Sequence, residues 1–291
     1  MSGIEAIVLG LIQGLTEFLP VSSSGHLTIF KAIFGIETEN LSFEVAVHAA
    51  TVLSTIVAFR KQIGRLIAGF FNLKFNPQKE YLLKIGISMI PVFIVGVFFK
   101  SYVEDIFGAG LLIVGMMLLV TALLLSLSEV LTRRQTSAPV KAQEKDPRYE
   151  AEAQVEGCAA SDPGKLLGYK EAFIMGLAQA VAVLPGLSRS GSTISAGLML
   201  GVKKAAVAQF SFLMVLIPIL GEAFLELVGG EFSGVESGIS PLSLVLGFLT
   251  AFLSGLFACT LMINLVKRAK LWGFAIYCAV AGSACILFDL L

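Results

Sequence analysis

Six apolar runs, each close to the ~20 residues that an α-helix needs to cross a hydrocarbon core, fall at roughly 43–59, 85–99, 109–128, 207–228, 241–266 and 272–290. Hydrocarbon offers no water to satisfy backbone N–H and C=O groups, so runs of this length and composition have helices as their natural form. The expected fold is an all-α integral membrane protein with about six crossings. Bulk composition agrees: 14% of the residues are charged, 56% are hydrophobic, and the mean hydropathy is +0.86. An ordinary soluble domain carries roughly 25% charge. The formal net charge is +0, and no nucleic-acid partner is expected. The first apolar segment lacks the basic start of a cleavable signal and is expected to stay in the mature protein. Cys158, Cys259, Cys278 and Cys285 show no metal-ligand spacing and are given no function.

Basic residues set the orientation. Apart from Arg189, eighteen of the twenty Lys and Arg residues fall in 60–84, 133–170, 203–204 and 267–270, leaving Lys31 and Lys100 elsewhere. With six crossings those four loops share one side, which the positive-inside rule makes cytoplasmic. Both termini and the acidic loop 229–240 then face outward. Residues 129–169 have six basic and seven acidic residues with no apolar period, and read as a flexible cytoplasmic linker.

The halves flanking that linker resemble each other. At an offset of 166, "EAIVLGLIQGLTEFLPVSSSG" (5–25) lies over "EAFIMGLAQAVAVLPGLSRSG" (171–191), and Glu5, Ala6, Gly10, Leu11, Gln13, Ser22, Ser24 and Gly25 meet identical residues. Such self-similarity marks an internal repeat. Each copy carries three crossings, an odd number, so the second sits upside down. The expected organisation is an inverted-topology repeat: 1–128 with a re-entrant hairpin at 4–36, the linker 129–169, and 170–291 with a hairpin at 171–202. Residues 4–19 and 27–36 are short for a crossing and are split by Pro20 and a serine–glycine run, as are 172–184 and 193–202 around "PGLSRSG". Two short but complete crossings are the alternative to each hairpin. Irregular backbone at membrane depth is tolerated where it is buried in protein or lines a wet cavity, so the tips should face a common polar site.

Glu17 and Arg189 lie at those tips, where a charge costs ~2.5–3.5 kcal/mol on insertion scales. One reading is a structural ion pair between the halves. The other is an anion site, since a guanidinium offers a planar donor fork matched to phosphate. Hydroxyls of Ser22, Ser23, Ser24, Ser188, Ser190, Ser192 and Thr193 surround it, and two helix N-termini near Gly25 and Gly191 add free N–H groups. Together they describe a phosphate cradle. Gln13 and Glu17 share a helix face, with His26 close in sequence as a titrating group.

"QGLTEFLPVSSSGH" (13–26) and "LPGLSRSGSTIS" (184–195) resemble the two signature motifs of the bacterial undecaprenyl-diphosphate phosphatase family, and "FEV" (43–45) and "FAIY" (274–277) extend the resemblance. It implies removal of the terminal phosphate of undecaprenyl diphosphate, return of the monophosphate carrier to peptidoglycan synthesis, and bacitracin resistance when the protein is abundant. It also implies the inverted, re-entrant architecture, a divalent cation, Mg²⁺ or Ca²⁺, and a cavity open to the outer side of the bacterial plasma membrane. The family motif residues fall on Gln13, Glu17, Ser22, Ser23 and His26, and on Pro185, Gly186, Ser188, Arg189, Ser190 and Thr193. Position 13 is Gln where some members have Glu, which leaves Glu17 the chief acidic ligand or base and Gln13 a neutral metal neighbour. The linker is longer than the family requires.

The implied catalytic set is Glu17, Ser23, His26 and Arg189, with Ser22, Ser24, Ser188, Arg189, Ser190 and Thr193 on the phosphate. The nucleophile stays open between Ser23 activated by His26 or Glu17, His26 itself, and a water activated by Glu17; a Ser23–His26–Glu17 unit is favoured. Glu44 and His48, one turn apart, read as an interhelical hydrogen-bonding pair before a second proton-handling pair. Lys31 and Lys100 either attract an anionic head group or snorkel. Expected partners are a polyprenyl diphosphate substrate and membrane lipids, without nucleic acid; a homodimer is left open. A secondary transporter for a phosphate-bearing lipid or anion is the rival function, since half-helices aimed at an anion serve both.

Overall fold

The computed structural model describes residues 1–36, 41–99, 110–135, 146–229, 239–268 and 270–290. Lys100 and most of the 229–240 loop lie outside them. The described residues form helices with no named strand: α1 Gly3–Phe18, α2 Ser23–Ile33, α3 Leu41–Ala58, α4 Arg60–Phe70, α5 Pro77–Phe98, α6 Gly110–Gln135, α7 Pro147–Val155, α8 Tyr169–Val181, α9 Arg189–Met199, α10 Lys204–Gly229, α11 Pro241–Arg268 and α12 Trp272–Leu290. Helix starts follow local chemistry. Ser2 and Glu5 close a capping box on α1, Asn76 caps α5 ahead of Pro77, and Asp146 caps α7 ahead of Pro147.

Five of these helices are long and apolar enough to span a membrane, and a sixth is counted if Phe43–Ala58 and Arg60–Phe70 are taken as one bent span. The chain turns by 75° between those two segments, at Phe59. Beyond the bend, α4 sets Arg60, Lys61 and Arg65 against Ile63, Leu66, Ile67 and Phe70, an amphipathic pattern suited to a membrane surface. Apolar side chains point outward along the spans: Phe93, Phe98, Leu123, Phe257, Val280 and Phe288 are each about two-thirds exposed or more. Gln13, His26, Ser188 and Thr193 are buried instead. A greasy exterior around a polar interior is the arrangement of a multi-pass membrane protein.

Packing crosses between the halves. Helix α1 lies along α11, α8 along α5, and α6 along α12. The α1–α11 approach depends on small residues. A methyl group on Gly10 would collide with Thr250 and the Gly247 carbonyl, and one on Gly14 with Ser254 and the Ala251 carbonyl. Gly176 on α8 meets the Ser88 carbonyl of α5 in the same way.

The expectation of a flexible linker at 129–169 is corrected for most of its length. Helix α6 runs on to Gln135, and 147–168 folds against the helix ends. The Val155 carbonyl accepts from Gln62 at 2.5 Å and Gln209 at 2.7 Å, and Lys203 Nζ donates to the carbonyls of Ala159 and Ala160 at 2.9 and 2.6 Å. Buried Lys84 pairs with Glu156 and Glu80, each at 3.3 Å. Charges that looked solvated in sequence are neutralised by partners distant along the chain.

Candidate active site at the meeting of two broken helices

Helix α1 ends because Pro20 has no N–H to continue the ladder, and α2 restarts three residues later. Ser22 holds φ +71° and is the only non-glycine residue with positive φ among the described residues. Its Oγ accepts from the Gly25 N–H at 3.2 Å, capping α2. Ser188 caps α9 in parallel, accepting from Gly191 N–H at 3.0 Å, after a turn in which Gly186 holds φ +86°. The tips touch. A Cβ on Gly25 would lie 3.2 Å from the Gly186 Cα, and Ser190 Oγ donates to the Leu19 carbonyl at 3.1 Å.

Glu17 is the hub. Its Oε1 accepts from Arg189 Nη2 at 3.0 Å, and its Oε2 accepts from Ser23 Oγ at 2.5 Å and Gln13 Nε2 at 2.9 Å. Burial explains the crowding, since a carboxylate 5% exposed needs charge-assisted partners. The structural ion pair weighed in the sequence is therefore present. It uses a single one of the five guanidinium N–H donors, which leaves the fork able to hold an anion as well. Glu17, Arg189 and Ser190 line a cavity with Thr51, Thr55, Phe18 and Phe212.

Other predicted residues are placed differently. Ser24 is half-buried, its Oγ 3.4 Å from that of Ser22, and Ser188 and Ser190 form a similar pair at 3.3 Å. Thr193 turns from the tips, bonding the Arg189 carbonyl and, at 2.5 Å, Ser211 Oγ. His26 does not join Ser23 and Glu17. Its Nδ1 lies 2.7 Å from the Ser22 carbonyl and its Nε2 2.6 Å from the Tyr277 hydroxyl. Of the expected Ser23–His26–Glu17 unit, the structure brings together Ser23 and Glu17.

Glu44 and His48 also part company. The Glu44 carboxylate pairs with Lys31, and His48 Nδ1 donates to the Glu44 main-chain carbonyl at 2.8 Å. That ion pair answers the question of Lys31. Tyr277, Thr51 and Thr55 were missed as site residues. The first belongs to the "FAIY" stretch, and the other two share one face of α3 one turn apart.

Among the described residues no cluster of three or more His, Cys, Asp and Glu side chains could hold a metal alone. A divalent cation is nevertheless compatible with the residues present. Gln13 is fully buried and its Oε1 has no hydrogen-bond partner, an oxygen donor beside Glu17 left free. Mg²⁺ sites commonly combine one or two protein oxygens with substrate phosphate and water.

The family model described as bacitracin resistance protein BacA matches residues 6–284. An undecaprenyl-diphosphatase of Bacteroides thetaiotaomicron is 54% identical over all of both chains, and one of Parabacteroides distasonis 52% over all of both. The undecaprenyl-diphosphatase of Methanococcus vannielii is still 37% identical, over 98% of this chain and 99% of its own. A match over nearly the whole length, including both helix tips, places this chain in the bacitracin resistance protein BacA family.

Proposed function

We propose that this protein is an integral-membrane phosphatase that hydrolyses undecaprenyl diphosphate to undecaprenyl phosphate and inorganic phosphate, recycling the lipid carrier for peptidoglycan synthesis. One observation carries the mechanism: Glu17 is bonded at once to the Arg189 guanidinium and to the Ser23 hydroxyl. A terminal phosphate held on the free N–H groups of Arg189 is thereby brought beside a serine whose proton already points at a carboxylate. Phosphoryl transfer needs positioning and charge neutralisation above all. Ser23 Oγ attacks the terminal phosphorus as its proton passes to Glu17 Oε2, and the bond to the bridging oxygen breaks. The leaving lipid monophosphate is an anion that needs little protonation. Water then attacks the phosphoserine while Glu17 returns its proton to the departing Ser23 Oγ, and inorganic phosphate leaves carrying the water's oxygen and protons, with Glu17 again a carboxylate. Ser22, Ser24, Ser188 and Ser190 line the tips around the phosphate, whereas Thr193 supports α9. Glu17 and Gln13 would hold the divalent cation, which supplies further neutralisation of phosphate charge when bound.

The inverted-repeat reading belongs to the same proposal. Helices α2 and α9 begin 166 residues apart, at Ser23 and Arg189, and each follows a serine cap. The pairings α1 with α11 and α8 with α5 exchange under that offset. In this reading α1–α2 and α8–α9 are re-entrant hairpins and 1–128 and 170–291 are the two repeats. The loops rich in Lys and Arg face the cytoplasm of a bacterial cell, and the cavity opens outward.

The test is phosphate release from farnesyl or undecaprenyl diphosphate by detergent-purified protein, with Mg²⁺, with Ca²⁺ and with chelator. Metal-dependent release that collapses by roughly 10²–10⁴ in Glu17→Gln, with an acid-stable phosphoenzyme absent from Ser23→Ala, is the expected result. A folded wild type that releases no phosphate overturns the reading in favour of liposome transport.

A further inference from the structure

The surroundings of His26 point to a different task for it than chemistry on phosphate. A carbonyl oxygen can only accept a hydrogen bond, so Nδ1, 2.7 Å from the Ser22 carbonyl, carries the ring proton. The Nε2 lone pair then accepts the Tyr277 O–H at 2.6 Å. The two rings stack with centroids 5.6 Å apart and planes 10° from parallel, and His26 is 3% exposed. Both ring nitrogens are thus engaged, neither of them to Glu17 or Ser23.

What His26 grips is the one residue of the tip whose backbone is unusual. The Ser22 carbonyl receives the His26 main-chain N–H at 3.2 Å as well as its ring N–H. Positive φ at a non-glycine residue persists where surrounding bonds over-determine it. The next residue is Ser23, whose direction toward Glu17 follows from the backbone before it. Tyr277 comes from α12, at the far end of the chain.

We propose that Tyr277 and His26 are positioning residues: the Ser22 carbonyl keeps His26 in its Nδ1–H tautomer, Tyr277 holds the ring in place from Nε2, and the turn gripped by His26 aims Ser23 at Glu17. His26 is then neither the nucleophile nor the proton acceptor. The kinetic consequences rest on the phosphatase reading above; the tautomer does not.

The test uses the full chain in detergent, farnesyl diphosphate as substrate, and ¹⁵N NMR of histidine-labelled protein. Asparagine presents a side-chain N–H near the place of Nδ1, whereas glutamine presents one nearer Nε2. His26→Asn should keep kcat within roughly tenfold of wild type, and His26→Gln should lose roughly a hundredfold at unchanged KM, the size of a misplacement near 1 Å. Tyr277→Phe should cost roughly fivefold to tenfold, as for one hydrogen bond. In the double variant with His26→Asn the losses should not add. The spectrum should show His26 protonated at Nδ1 in the wild type, and in Tyr277→Phe still protonated there but with its Nε2 resonance moved by the loss of the hydroxyl. The chain has two histidines, so His26→Asn assigns the signals. Equal loss in the Asn and Gln variants, an acid-labile adduct lost with His26, or a proton on Nε2 would each overturn the proposal. If the wild type releases no phosphate, the phosphatase reading falls and the tautomer alone decides this one.

Discussion

At the scale of single residues, the site is organised by one buried carboxylate with more partners than a surface glutamate would keep. Removing Arg189 leaves Glu17 charged with no counter-ion, held by Ser23 and Gln13 alone, a loss of about 3–5 kcal/mol for a broken buried pair, so Arg189→Ala should lower Tm as well as abolish phosphate release. Gln13→Glu gives a separate readout. It replaces the 2.9 Å donor to Glu17 by a second carboxylate, so thermal stability should fall in chelator and recover on adding Mg²⁺ or Ca²⁺ more than in wild type. Unchanged stability in chelator would remove Gln13 from the metal neighbourhood. Glu17, Arg189 and the serines were legible in the sequence because charge and hydroxyls are rare among apolar runs. The role of Tyr277 was not, since an aromatic residue in a spanning helix looks like lipid-facing surface until the position of its hydroxyl is known.

At the scale of elements, the number of helices long enough to span a membrane followed from run length, and the breaks at Pro20 and Gly186 from proline and glycine. Helix α4 was read as loop. Its apolar spacing at Ile63, Leu66, Ile67 and Phe70 was available, yet its three basic residues had been used for orientation. Between elements the decisive contacts are glycines. Gly14→Ala forces a methyl group into the α11 backbone, where overpacking costs about 1–3 kcal/mol, and should lower Tm in detergent. Gly86→Ala is the control: a Cβ there meets nothing within 4 Å, and the loss of a helical glycine should stabilise by about 0.5–1 kcal/mol. Similar Tm shifts in both variants would rule out close α1–α11 packing.

At the scale of the whole molecule, segment 147–168 fastens one half to the other, through Gln62 and Lys84 on one side and Gln209 and Lys203 on the other. No local pattern announces this, because the partner of Glu156 is Lys84, 72 positions away. Burial pushes the Glu156 carboxyl up from its ordinary 4.5 to about 7, opposed by Lys84 and by the Leu167 N–H. Tyr81, Glu80, Glu152 and Cys158 are ionisable groups near it, of which Lys84 and Glu152 act on it most directly. The folded state therefore binds more protons than the unfolded one between those values, and the stability it contributes is full below about 4.5 and lost as pH rises through about 7. Tm should decline across that window in wild type and flatten in Glu156→Gln; a parallel decline in the variant would assign the effect elsewhere. The pairing of α1 with α11 also has a consequence in time. A ribosome adding ~5–20 residues per second leaves the first helix roughly 10–45 s without the helix that receives Gly10 and Gly14. During that interval Gln13 and Glu17 belong to a nascent chain whose groove has not been made, so biogenesis depends on whatever shelters α1 until α11 emerges.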